Sequence, residues 1–390
     1  MTALPEGFVW GTATAAHQVE GGNWNSDWWQ WEHDPASGCA EPSGDAVDQW
    51  NRYADDIALL AGLGFNAYRF SVEWARVEPE DGEWSTVALD HYRRVCATCR
   101  EHGVTPIVTY HHFTTPRWVA GAGGWIDAAT VDRFTRYAER VTQHLGDVVG
   151  WACTLNEPNV VATHGYRTGV FPPGERSREL RRRANDVFVA AHQKAAAAIK
   201  GGPGDFPVGL TLAMADFQVT EPGGEVRRDR VRHVMEDVFL EATGDDDFIG
   251  VQTYTRHRFG PAGDLGPPPD AESTQMGYEF YPEALEGTIR RAAEVTDGTP
   301  VLVTENGIGT ADDTRRVEYT RRALAGLGRC LDDGIDVRGY VHWSLLDNFE
   351  WALGYRPTFG LVAVDRSTMA RTPKPSAEWL GALARANRLP

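Results

Sequence analysis

Eight short apolar runs, separated by longer stretches with helical spacing, constrain this chain more than any other feature. The runs are Phe8–Thr14, Asn66–Val72, Thr105–Tyr110, Trp151–Leu155, Val208–Leu212, Phe248–Thr253, Val301–Thr304 and Val337–Trp343. They are continuously apolar rather than alternating, which predicts strands buried on both faces, as in a parallel sheet. Between them, Trp50, Tyr53, Ile57, Leu60 and Leu63 recur at helical spacing, as do Leu89, Tyr92, Val95, Cys96 and Cys99, with Gly103 placed to end that helix. Val131, Phe134, Tyr137, Val141 and Leu145 repeat the pattern up to Gly146, and further helices are predicted to start near Arg178, Asp229, Pro282, Asp312 and Ser376. A length of 390 residues would ordinarily suggest two cores. Eight strands alternating with about eight helices instead predict an α/β fold of one domain over 1–390, a single (β/α)8 TIM barrel with elaborated loops on its C-terminal face.

The formal net charge of −17 disfavours nucleic acid and anionic membranes as partners. The one basic stretch holds Arg176, Arg178, Arg181, Arg182 and Arg183 with Glu175 and Glu179 interspersed, and reads as a solvated helix face. Five scattered cysteines form no disulfide framework, and Cys96 and Cys99 lie in a helical pattern without a second pair, so no zinc site is expected. Neither a leader-like N-terminus nor an apolar run long enough to span a membrane is apparent, and the expected setting is cytoplasmic.

In such a barrel, chemistry collects where strands end. The ends carry His17, Gln18 and Glu20; Arg69, Glu73 and Trp74; His111 and His112; Asn156 and Glu157; Gln252 and Tyr254; Glu305 and Asn306; and Trp343, followed by Glu350 and Trp351. Only the fifth end is bare, with Asp216 its nearest polar candidate. A dry core would not want these groups. Glu157 and Glu305 stand out, because two carboxyl groups facing each other across a sugar are the minimal machinery for cleaving a glycosidic bond. The Pro- and Gly-rich segment 259–269 follows the sixth strand and is read as a wall or lid, or as a passive surface loop.

The segment Phe8-Val9-Trp10-Gly11-Thr12-Ala13-Thr14-Ala15-Ala16-His17-Gln18-Val19-Glu20-Gly21 resembles the opening signature of glycoside hydrolase family 1, the β-glucosidase family. Tyr68-Arg69-Phe70-Ser71, Thr154-Leu155-Asn156-Glu157-Pro158, Thr304-Glu305-Asn306-Gly307 and Asp347-Asn348-Phe349-Glu350-Trp351 resemble its other signatures, in its order, over about residues 5 to 380. The resemblance implies Glu305 as nucleophile, with Arg69 the cation beside it and Tyr254 donating a hydrogen bond to it. It implies Glu157 as acid/base and Asn156 as the partner of the sugar 2-hydroxyl. Gln18, His111, Glu350 and Trp351 resemble the sugar-holding set and Trp343 the platform, whereas His112 is read as a satisfied polar residue. Trp24, Trp28, Trp29 and Trp31 cluster after the first strand and carry no assignment.

The implied activity is hydrolysis of non-phosphorylated β-glycosides, most of all β-glucosides, with β-galactosides or β-fucosides as further substrates, through a covalent glycosyl-enzyme. Small-molecule β-glycosides or oligosaccharides are the expected partners, with no metal and no organic cofactor. Glu350 would repel a 6-phosphate. A transglycosylase with the same intermediate and a non-catalytic sugar-binding barrel are the alternatives. The chain departs from the family pattern in three places. Gln252 stands where an asparagine is common, which bears on support of the leaving-group side. Tyr110-His111-His112-Phe113-Thr114-Thr115-Pro116 replaces the more frequent third-strand signature. The region between Glu157 and Gln252 is short, which predicts a more open aglycone side.

Overall fold

The computed structural model describes residues 4–390. Eight parallel strands, β1 (Val9–Ala13), β2 (Ala67–Ser71), β3 (Thr105–His112), β4 (Trp151–Asn156), β5 (Val208–Ala213), β6 (Phe248–Thr253), β7 (Val301–Asn306) and β8 (Val337–Trp343), close into a barrel. Neighbours follow chain order around the ring, and β1 pairs with both β2 and β8. This is the (β/α)8 TIM barrel that the alternation of runs predicts.

The outer layer contains α1 (Gln49–Leu63), α2 (Thr86–Glu101), α3 (Ala129–Leu145), α4 (Arg178–Lys200), α5 (Glu225–Arg232), α6 (Ala284–Val295), α7 (Asp313–Asp332) and α8 (Pro375–Ala386). Their ends follow local chemistry. Ser85 caps α2 by accepting from the Ala88 N–H, and Gly103 lies just past its end at φ +69°, where a side chain would be strained. α6 starts at Ala284, just after Pro282, and α5 starts at Glu225, ahead of Asp229.

Two apolar layers hold the barrel. Ala13, Ala67, Ile107, Cys153, Phe248 and Leu302 fill its interior, and a larger cluster seals strands against helices. Each large side chain fully withdrawn from water contributes about 1.5–3 kcal/mol. The interior positions follow two-residue alternation at the base of the strands but not at their tops. On β3, Tyr110 bonds Thr142 of α3, and His111 packs on Phe134 and Phe188 of the outer helices. Two successive residues thus face outward before His112 turns in. On β4, Thr154 bonds His192 of α4 and Leu155 joins the outer cluster before Asn156 turns in, with a register shift between Cys153 and Asn156. On β7 the register against β6 shifts between Val303 and Glu305. Such irregularities re-aim side chains beside active sites.

Asp216 opens a short strand, Asp216–Val219, that pairs with Arg256–Gly260 in a separate small sheet. The segment 259–269 begins in the hairpin of that sheet, whose pairing ends at Asp264. Among the described residues, no helix is long and apolar enough to cross a membrane.

Candidate active site

The strand tops surround a cavity of 190 Å³, lined by Gln18, His112, Glu157, Tyr254, Glu305 and Trp343, with Glu350 and Trp351 from the loop after β8. Arg69, from β2, lies beneath it with no exposed surface. Its guanidinium makes two contacts that order the floor. Nη1 donates to Glu305 Oε1 at 2.7 Å, and Nη2 donates to Asn156 Oδ1. The Tyr254 hydroxyl donates to the other Glu305 oxygen at 2.6 Å. Tyr254 is in turn held by the Tyr319 hydroxyl, which donates to its carbonyl at 2.7 Å.

Glu157 is held differently. It follows β4 at φ +46° and immediately precedes the helix Pro158–Thr163, whose first residue is a proline. Strand, left-handed residue and helix make a sharp turn that lifts the carboxyl off the strand. Asn159 anchors the turn by donating to the Ala213 and Met235 carbonyls, both at 2.8 Å. Among the described residues, the Glu157 carboxyl has neither an ion-pair nor a hydrogen-bond partner.

The electrostatics separate the two carboxyls. Burial pushes Glu157 well above the usual carboxylate range, the negative fields of Glu305 and Glu350 add to the rise, and Arg69 opposes it. Burial also raises Glu305, and the Arg69 charge and the hydrogen bonds from Tyr254 and Arg69 offset that rise only in part. A carboxyl accepting two short hydrogen bonds is the easier of the pair to ionise, whereas an unpartnered buried one holds its proton to higher pH. Glu350 is likewise pushed well up by burial, against a 3.4 Å bond from the Trp343 indole N–H.

Asn156 has its oxygen saturated. Besides Arg69, Gln252 Nε2 donates to it at 2.8 Å and Thr211 Oγ1 at 3.3 Å. Its amide nitrogen donates one N–H to His112 Nε2 at 3.2 Å and keeps the other. Gln252 thus supports Asn156, rather than the leaving-group side to which the sequence comparison linked it. Gln18 donates to Asn348 and to the Phe349 carbonyl, leaving its own buried oxygen without a protein partner.

The two third-strand histidines do not sit as expected. His112 lines the cavity, its ring 5.7 Å from Trp343 and 6.2 Å from Trp351, nearly parallel to both. His111 sits behind the wall, 4.9 Å from Trp125, with neither ring nitrogen partnered in the structure. The reason is the doubled outward residue on β3, which strict alternation does not anticipate. Burial lowers both, His111 to about 3 and His112 well below its ordinary value, so each ring is neutral.

Other wall residues have no sequence motif that would have marked them. Val160, His164 and Phe171 come from the short segment after Glu157, and Met276 and Tyr278 from the loop before α6. The 259–269 segment contributes none of the wall. Trp28, one of the unassigned tryptophans, packs edge-on to Phe171 at 4.7 Å and lies 4.6 Å from Trp351. Asp216 is likewise outside the cavity. Among the described residues, no group of three His, Cys, Asp or Glu side chains could hold a metal ion.

The chain matches known proteins in both sequence and fold. The family model described as Glycosyl hydrolase family 1 matches residues 1–250 and 252–389. Beta-glucosidase A of Thermotoga maritima is 33% identical over 99% of this chain and 98% of its own length. A bifunctional beta-D-glucosidase/beta-D-fucosidase of Bifidobacterium breve is 32% identical over 96% and 97%. Among solved structures, the beta-glycosidase BGL167 superposes with a TM-score of 0.92 at 50% identity, covering 98% of this chain and 97% of that one. The Thermotoga maritima family 1 β-glucosidase in complex with isofagomine lactam superposes at 0.94, with 31% identity and full coverage of both chains. With fold and sequence matched from end to end, this chain belongs to glycosyl hydrolase family 1, as a β-glucosidase-like enzyme.

Proposed function

We propose that the chain is a retaining β-glycosidase acting on non-phosphorylated β-glycosides, with β-glucosides as the principal substrates and β-fucosides or β-galactosides as further ones. The asymmetry of the two buried carboxyls carries this reading: Glu305 is ion-paired and doubly bonded, whereas Glu157 is unpartnered. In the first step Glu305 attacks the anomeric carbon, the glycosidic bond breaks, and Glu157 gives its proton to the leaving oxygen. In the second, Glu157 takes a proton from water, and the water oxygen displaces Glu305.

The other residues follow from their positions. Arg69 and Tyr254 keep Glu305 ionised and aimed. Asn156, with its oxygen occupied, offers its N–H to the 2-hydroxyl. Gln18 and Glu350 take further hydroxyls, and the Trp343 and Trp351 rings cover the apolar sugar face. His112 takes the place on the cavity wall that the sequence comparison had assigned to His111. Among the described residues, the cavity lining holds the Glu350 carboxyl and no lysine or arginine to offset a phosphate, which predicts poor hydrolysis of 6-phosphoglycosides, and appreciable turnover of one refutes that specificity.

The test is nitrophenol release from a panel of aryl β-glycosides by the parent chain and by Glu305→Gln. Release by the parent alone, with the glucoside fastest, supports the assignment. Equal release by both excludes Glu305 as the nucleophile.

A further inference from the structure

The catalytic cavity has a neighbour at this end of the barrel. A second cavity of 380 Å³ lies between the short helix Asp27–Glu32, the helix Arg117–Gly121 and the segment 161–173. It is twice the volume of the catalytic cavity and falls in the range of small-ligand sites. The two are neighbours on either side of one wall. Val160, His164 and Phe171 face the catalytic side, and Val161, Tyr166 and Pro172 the other.

Its lining combines flat apolar surface with uncommitted polar groups. The Trp31 indole N–H is buried and has no partner among the described residues. The Tyr166 hydroxyl accepts from the Trp125 backbone N–H at 3.0 Å, so its own proton is uncommitted among the described residues. Asp27 Oδ1 accepts from the Trp28 and Thr115 backbone N–H groups, both at 2.8 Å, which leaves Oδ2 open. Gln30 and Arg117 add an amide and a guanidinium. Gly121, Gly123 and Gly124 leave one side of the cavity bare, and a Cβ on Gly121 would meet nothing within 4 Å.

The mixture selects a class of occupant. Asp34 and Arg117 put one charged side chain of each sign on the lining, so neither an anion nor a cation is favoured by charge. Burial raises the Asp27 carboxyl to about 7, which makes it a poor permanent counter-charge. A neutral polyol uses every element: hydroxyls that donate to Asp27, hydroxyls that accept from Trp31, Tyr166 and Arg117, and a C–H face against the rings. We propose that this cavity is a second, non-catalytic binding site for a hexopyranose, free or as the terminal unit of a glycoside.

The experiment follows the indole N–H resonances of the full-length chain during a glucose titration, with the Trp31 signal assigned from Trp31→Phe. The Trp31 signal is expected to shift and saturate with glucose, in the parent and equally in Glu305→Gln. Gly121→Phe, which adds a ring to the cavity lining at a position free of positive-φ strain, should weaken the Trp31 response while leaving nitrophenyl glucoside turnover within about twofold of the parent. A Trp31 signal that stays still throughout the titration overturns the proposal. So does a shift that persists unchanged in Gly121→Phe. Loss or retention of turnover in Glu305→Gln bears on the catalytic reading alone, so the two ideas fail separately.

Discussion

Tyr254→Phe isolates the hydrogen bond that most directly controls the proposed nucleophile. The substitution removes one oxygen and keeps the ring, which packs edge-on to Phe359 at 5.8 Å. What is lost is the 2.6 Å bond from the hydroxyl to Glu305 Oε2. A bond to a charged group contributes about 1.5–3 kcal/mol, and one pKa unit corresponds to about 1.4 kcal/mol, so the loss is worth roughly one to two units. The sign follows from which form the bond favours. The hydroxyl stabilises the carboxylate, so without it the carboxyl holds its proton to higher pH. Arg69 remains and limits the rise. The assay is kcat/KM against pH for a nitrophenyl β-glucoside, whose acid limb reports the free enzyme. That limb should move up by about one to two units, with the alkaline limb less affected, as macroscopic values of a coupled pair. A limb that moves by less than about 0.3 unit would mean that this bond does not govern the ionisation that limits activity.

Glu157→Ala should spare glycosylation from aryl substrates whose leaving groups need no proton, and slow the water step by roughly 10²–10⁴-fold. Added azide should restore turnover and yield a β-glycosyl azide; no rescue counts against Glu157 as acid/base. Glu236 offers a test of stability rather than activity. It is buried and raised to about 8, chiefly by burial, with Oε1 accepting from the Ala215 N–H at 3.0 Å and Oε2 unpartnered. The native state holds this proton up to about pH 8, whereas the unfolded chain loses it near 4.3, so the group's contribution falls as pH rises across that window. Glu236→Gln cannot ionise and should lose less stability than the parent between about pH 5 and pH 8 in thermal melts. A difference in Tm that is the same at every pH refutes this.

Much of the architecture was legible because burial writes itself into composition. Strands covered on both faces must be apolar throughout, and eight such runs separated by helical spacing leave few alternatives to a barrel. Glu157 and Glu305 were legible because motifs at strand ends are local, and the barrel carries all of its strand ends to one face. Position within the strand tops was not legible. Whether His111 or His112 meets the cavity depends on where β3 abandons alternation, and that depends on the fit of Tyr110 and His111 to α3 and α4. The role of Gln252 was equally hidden, because it is defined by a bond to Asn156, 96 residues away. Met276, Tyr278 and Phe171 belong to no motif, and the second cavity is assembled from three separate segments. The sequence by itself determined which residues must be buried and which short runs carry carboxyls. Only the tertiary structure decided which side chains share a cavity, because packing between distant segments, rather than local propensity, sets the last turn of each strand.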